Sequence, residues 1–192
     1  MKLCVYGASS STIDKSFIEA GEALGRAIAE RGHTVVYGGG AEGMMGAAAR
    51  GAKEKNGEII GIAPSFFQVD GSLFDGCTEF IYTDNMRQRK ELLETRSDAF
   101  IVTPGGAGTY DELFEIFTLR QLNRHTKAIA ILNVNGYFDP LVALLENAIE
   151  KNFMTEANRE LYFITDSIDE VLDYVENYVP VEFSLTDVKD VK

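Results

Sequence analysis

One glycine-rich turn constrains this chain more than any other feature: Pro104-Gly105-Gly106-Ala107-Gly108-Thr109, set between an apolar run and an amphipathic one. Residues 99–103 before it read as a buried strand, and residues 113–119 after it repeat at helical spacing. A glycine turn between strand and helix leaves backbone N–H groups free at the positive end of the helix, a ready site for phosphate or another anion. A carboxylate, Glu112, is expected in the first turn of that same helix. An anion cradle beside a carboxylate points to chemistry on a phosphorylated sugar.

The rest of the chain repeats the same strand–helix unit. Strands are expected at residues 3–6, 34–37, 58–63, 80–82, 99–103, 127–132 and 161–164. Helices are expected around residues 17–28, from 43 to about 55, and over 84–97, 113–119, 138–151 and 168–178, with Gly32 as the first C-cap. This alternation with β-branched strands predicts an α/β, Rossmann-like, doubly wound parallel sheet with helices on both faces. Ligands of such folds sit at the carboxyl ends of the strands. Three loops there are rich in glycine or serine: residues 7–11, 38–43 and 105–109. No linker or repeat is visible, so residues 1–180 read as one domain and 181–192 as a polar tail.

A net charge of −12 argues against nucleic acid as a partner, because such binding needs a broad basic surface. No apolar stretch is long enough to cross a bilayer, and the amino terminus reaches Gly7 too soon for a signal-peptide core. The two cysteines, Cys4 and Cys77, share no metal-ligand spacing and suggest no disulfide framework, which fits a cytoplasmic location. Cys4 reads as a small buried hydrophobe. His33 and His125 read as surface or C-terminal residues of helices, and no metal site or cofactor site is expected.

Each candidate site has a plainer reading beside it. Gly38-x-Gly40-x-x-Gly43 matches the dinucleotide fingerprint as a string, but no acid ends the next strand and the turn follows the second strand instead of the first. The glycines either allow a tight turn and close helix packing or let a ribose or phosphate approach the backbone. Thr109-x-x-Glu112 is also a capping box, in which threonine caps the helix and glutamate reaches back. That role leaves the three upstream glycines unexplained. Met86-Arg87-Gln88-Arg89-Lys90 is the one dense basic island in an acidic chain. Its plain reading is a solvated helix face with a Lys90–Glu94 pair. Yet Arg89 shares a stripe with Met86 and Leu93, and an arginine on a partly buried stripe needs an anionic partner, either a substrate phosphate or Glu112. Asp84 and Asp111 are the candidates for a second carboxylate, although Asp84 also suits a helix cap.

These residues together carry a resemblance. Residues 104–112 fit Pro-Gly-Gly-x-Gly-Thr-x-x-Glu, and the chain resembles the LONELY GUY (LOG) family, cytokinin riboside 5′-monophosphate phosphoribohydrolases long labelled possible lysine decarboxylases. Met86-x-x-Arg89-Lys90 is similar to a second motif of the family, and residues 37–46 to a third. The chain departs from the family at Arg87 and at Gly7-Ala8-Ser9, where Ser9 is retained. The resemblance implies hydrolysis of a purine nucleoside 5′-monophosphate to base and ribose 5-phosphate, with no cofactor, in a homodimer whose sites lie near the subunit contact. It implies Arg89 and Glu112 as the catalytic pair. It implies Ser9, Gly38, Gly39, Gly40, Met86, Lys90, Gly105, Gly106, Gly108, Thr109 and Thr118 around the substrate. The base, adenine or an N6-substituted adenine, stays open. The alternative is a non-catalytic nucleotide-binding or carrier module on the same fold; a pyridoxal-phosphate decarboxylase rests on the old label alone.

Overall fold

The computed structural model describes residues 1–69 and 71–181. The expected C-terminal tail therefore lies, apart from Val181, outside the described residues. Seven strands form one sheet: β1 Lys2–Tyr6, β2 Thr34–Tyr37, β3 Ile59–Pro64, β4 Glu79–Thr83, β5 Ala99–Val102, β6 Ile129–Leu132 and β7 Phe163–Thr165. Their order is β4-β3-β2-β1-β5-β6-β7, and every pair is parallel. The chain winds outward from β1 to β4, then returns to the other side of β1 with β5. That reversal opens a crevice at the carboxyl ends of β1 and β5, where a doubly wound sheet binds its ligand.

The inner strands β2, β3, β5 and β6, and β1 beyond Lys2, are buried throughout because both faces are covered, while the edge strands β4 and β7 are only partly buried. Side chains alternate across the sheet, so each strand feeds two cores. Leu3, Val5, Val35, Tyr37 and Ile101 pack with α1 (Lys15–Glu30), α2 (Gly43–Glu54) and α6 (Ile168–Asn177). Cys4, Val36, Ile62, Phe100 and Ile131 pack on the opposite face. There they meet α3 (Met86–Thr95), α4 (Ala107–Gln121) and α5 (Asp139–Glu150). Burial pushes the Cys4 thiol up to about 12, as expected of an inert core residue.

Several boundaries differ from those the sequence suggests, for local reasons. Helix α3 is capped by Asn85, not Asp84: the Asn85 side chain accepts from the Arg87 and Gln88 N–H groups at 3.0 Å each. Strand β7 starts at Phe163, because Glu156–Leu161 forms a 3-10 turn. Gly32 follows the C-cap residue Arg31 of α1 with φ of +74°, the left-handed conformation expected there. His125 is not at the surface. It is buried and its Nε2 lies 2.8 Å from the Ile116 carbonyl oxygen, and burial lowers its pKa.

Candidate active site

Helix α4 begins at Ala107, six residues before the apolar periodicity shows it. Gly106 is its N-cap position, and no side chain caps it. As a glycine it has no side chain to offer the orphan N–H groups of the first turn. Thr109 is the third helical residue, not the cap, and Glu112 falls in the second turn. The capping-box reading fails on this register. Glu112 is only 6% exposed and its Oε1 lies 2.9 Å from Nη1 of Arg89, itself 7% exposed.

Arg89 comes from α3, on the far side of β1 from α4. Its Nε donates to the Ile62 carbonyl at 3.2 Å, which ties it to the end of β3. Gly38 makes room for it: a Cβ at Gly38 would stand 2.0 Å from Arg89 Nη2. Of the two partners that an arginine on this stripe needed, the structure supplies Glu112. Burial pushes the Glu112 carboxyl up to about 7, against the pull of Arg89 toward lower values.

Both side chains line a cavity of about 600 Å³, within the roughly 300–1,000 Å³ of small-molecule sites. Ser9, Gly38, Gly40, Met86, Gly106, Gly108 and Thr109 also line it. Four expected residues do not. Gly39 has φ of +77° and its missing Cβ faces the Phe80 ring, so it serves the turn. The Gly105 carbonyl accepts from the Tyr137 hydroxyl at 2.6 Å. Lys90 pairs with Asp111 at 3.0 Å and Glu115 at 3.2 Å, while Glu94, its expected partner, pairs with Lys127. Thr118 is exposed on α4 nearly two turns beyond Glu112.

Neither Asp84 nor Asp111 lines the cavity; the second carboxylate there is Glu42. It stands at the N-cap of α2 and makes no capping bond. The fingerprint glycines divide their roles. A Cβ at Gly43 would meet the Ala8 carbonyl oxygen at 2.2 Å, so this glycine serves close packing. Of the remaining wall, Met45 belongs to the motif at residues 37–46, while Phe67, Ser72 and Leu73 escaped the sequence reading. Part of it comes from a loop laid along the glycine turn, with Phe74 N–H bonded to Gly39 O at 3.0 Å and Ala41 N–H to Ser72 O at 3.1 Å. The one local signal was three exposed-type apolar residues, Phe66, Phe67 and Val69, just past Pro64. Among the described residues no lysine lines the cavity, so it offers no Schiff-base partner to pyridoxal phosphate. Also among them, no cluster of three or more His, Cys, Asp or Glu is placed to hold a metal.

Comparison with known proteins places the chain in a family and a fold. Residues 45–175 match the family described as "Possible lysine decarboxylase". A probable cytokinin riboside 5′-monophosphate phosphoribohydrolase of Oryza sativa subsp. japonica is 34% identical over 188 residues, covering 98% of this chain and 76% of that protein. A cytokinin riboside 5′-monophosphate phosphoribohydrolase of Arabidopsis thaliana is 32% identical over 179 residues, covering 93% and 84%. The molybdenum cofactor binding protein of Rippkaea orientalis shares the fold, with a TM-score of 0.68, 24% identity and coverage of 91% and 94%. The molybdenum cofactor carrier protein of Chlamydomonas reinhardtii does so with a TM-score of 0.69, 19% identity and coverage of 91% and 95%. At such identities these two share architecture alone. The chain belongs to the family of possible lysine decarboxylases, the LOG family, whose curated relatives are named phosphoribohydrolases.

Proposed function

We propose that this chain is a hydrolase that cleaves the N-glycosidic bond of a purine nucleoside 5′-monophosphate, releasing the base and ribose 5-phosphate. One observation carries the reading: a buried Arg89–Glu112 pair at 2.9 Å faces a cavity that the uncapped N-terminus of α4 also lines. The phosphate sits against the free N–H groups of Gly106, Ala107, Gly108 and Thr109, where the helix dipole favours negative charge. Ser9 adds a hydroxyl from the first loop. Four residues of helix, about 6 Å of axis, separate Gly108 from Glu112, which suits the step from a 5′-phosphate to the anomeric carbon.

Water adds its oxygen to the anomeric carbon and gives up a proton, the bond to the base nitrogen breaks, and the electron pair leaves with the base, which takes up a proton from solvent. Positive charge grows on the sugar as that bond lengthens. The Glu112 carboxylate stabilises this charge, and its pKa near 7 suits it to accept the proton of the attacking water. Arg89 stays charged throughout, so it orients Glu112 and holds ribose oxygens instead of donating a proton. Met45, Phe67, Leu73 and Met86 offer apolar walls to the base.

The same reading includes a homodimer. Met86 and Phe114, each more than a third exposed, flank the Lys90 ion pairs on the α3–α4 face. Thr118 lies one turn beyond Phe114, so it reaches a substrate only in a second copy. Among the described residues no helix is long and apolar enough to cross a membrane, and both free cysteines suit a reducing compartment such as the cytoplasm.

The test is product analysis over a panel of nucleoside monophosphates, N6-substituted ones included. Base and ribose 5-phosphate are expected in equal amounts, and Arg89→Ala should abolish both. Tight nucleotide binding with no release of base from any member would overturn the proposal in favour of a carrier.

A further inference from the structure

The strand-to-helix turn at residues 104–106 must do two things to receive an anion. Its N–H groups must face the cavity, and its carbonyl oxygens must face away, because a carbonyl dipole aimed at a phosphate repels it. A chain this rich in glycine does not hold such an orientation by itself. The Pro104 carbonyl is held by the Ala8 N–H at 3.0 Å, a bond from the end of β1. The Gly105 carbonyl is held from elsewhere: the Tyr137 hydroxyl donates to it at 2.6 Å.

Tyr137 comes from the connection between β6 and α5, where a 3-10 turn spans Val134–Gly136. It carries no motif and does not line the cavity. Its ring is fixed on two sides, edge-on to Phe17 at 5.9 Å and to Phe138 at 5.2 Å. Its hydroxyl accepts in turn from Tyr110, on the first turns of α4, at 3.4 Å. The ring is therefore held at two edges although Tyr137 is 37% exposed, and its one short polar contact is with the turn. A tyrosine that served packing alone would not need its hydroxyl on that carbonyl.

We propose that Tyr137 is a positioning residue for phosphate: by holding the Gly105 carbonyl outward it keeps the turn's N–H groups aimed at the 5′-phosphate of the substrate. This inference rests on the function proposed above, and binding measurements separate the two. Tyr137→Phe keeps the ring between Phe17 and Phe138 and removes only the hydroxyl. Calorimetric titration of the full-length variant with inorganic phosphate and with ribose 5-phosphate should show affinities about fivefold to tenfold weaker than the parent chain, the effect of one net hydrogen bond. Adenine affinity should stay unchanged, as should the melting temperature within about 2 °C, and KM for a nucleoside monophosphate should rise with kcat within twofold. A general loosening of the fold would weaken adenine and phosphate together and would overturn the proposal. Tyr110→Phe, which leaves the Tyr137–Gly105 bond in place, should keep phosphate affinity within twofold; a larger loss would shift the role to Tyr110 and overturn the proposal. A parent chain that binds phosphate and cleaves nothing refutes the proposed hydrolysis, while the Tyr137→Phe titration still decides this inference. A parent chain that binds neither anion overturns both.

Discussion

Replacing Glu112 by glutamine should make the protein more stable and inactive. The reason lies in what the carboxylate gives up when it folds. Its pKa rises from 4.5 to about 7, because burial disfavours the charged form more than Arg89 favours it. Between those two values the folded chain holds a proton that the unfolded chain has lost. Stability therefore falls as pH rises from about 4.5 to about 7, and stays low above that. At pH 8 the accumulated cost is about 3 kcal/mol, the rise from 4.5 to about 7 taken at roughly 1.36 kcal/mol per tenfold change in proton affinity. At pH 5 the same arithmetic leaves under about 1 kcal/mol. Glutamine is neutral at both pH values and still offers an oxygen to Arg89, so it imitates the protonated parent. Urea unfolding at fixed protein concentration should find Glu112→Gln more stable than the parent by about 3 kcal/mol at pH 8 and by under about 1 kcal/mol at pH 5. In melting temperature this is roughly 6–12 °C for a domain of this size. A gap that does not change between the two pH values would refute the reasoning. So would a variant less stable than its parent at pH 8, since the carboxylate would then be a structural partner for Arg89 and not a strained functional group.

Three further outcomes follow from the same geometry. The parent's kcat/KM should climb about tenfold per pH unit below a midpoint near pH 7 as the carboxyl ionises, and a flat profile between pH 5 and 8 would exclude Glu112 as the base. Gly38→Ala should lower kcat/KM by about tenfold or more, because its Cβ would stand 2.0 Å from Arg89 Nη2 and swing the guanidinium off Glu112. Unfolding free energy should fall as well, because a buried charged pair loses its contact, and unchanged activity would sink the assignment. Gly108→Ala meets nothing within 4 Å, so the folded chain should gain about 0.5–1 kcal/mol from helix propensity; phosphate affinity should still fall, and equal affinity would place the anion elsewhere.

Much of the fold was legible because its signals are local. Alternating strand and helix patterns gave the layers, and buried strands such as Val35–Val36 and Phe100–Val102 read as apolar on both faces. The positions that misled are those where a few local bonds outweigh periodicity. Asn85 rather than Asp84 caps α3 because its side chain reaches two N–H groups. Lys90 ignores Glu94 because α4 offers it two carboxylates, Asp111 and Glu115. The start of α4 was misplaced because Ala107 and Gly108 carry no periodic signal, and that shift alone turned Glu112 from a cap residue into a buried acid.

The site differs from the fold in kind, because none of its decisive contacts is local. Arg89 and Glu112 stand on helices separated by β5, and Gly38 belongs to a third loop. What the sequence did contain was a constraint without a solution: an arginine on an apolar stripe must be neutralised, and only phosphate or Glu112 was in reach. The winding of the sheet solves it. Strand β1 lies between β2 and β5, so the loops after β2 and β5 converge over its end, and α3 delivers Arg89 from beyond β3. Tyr137 approaches from the other side, after β6, and so had no motif to announce it. A residue that holds a carbonyl needs only a hydroxyl at one distance, which no spacing in a sequence encodes. Supports of a phosphate turn are therefore to be sought on the strand next to it in the sheet, not next to it in the chain.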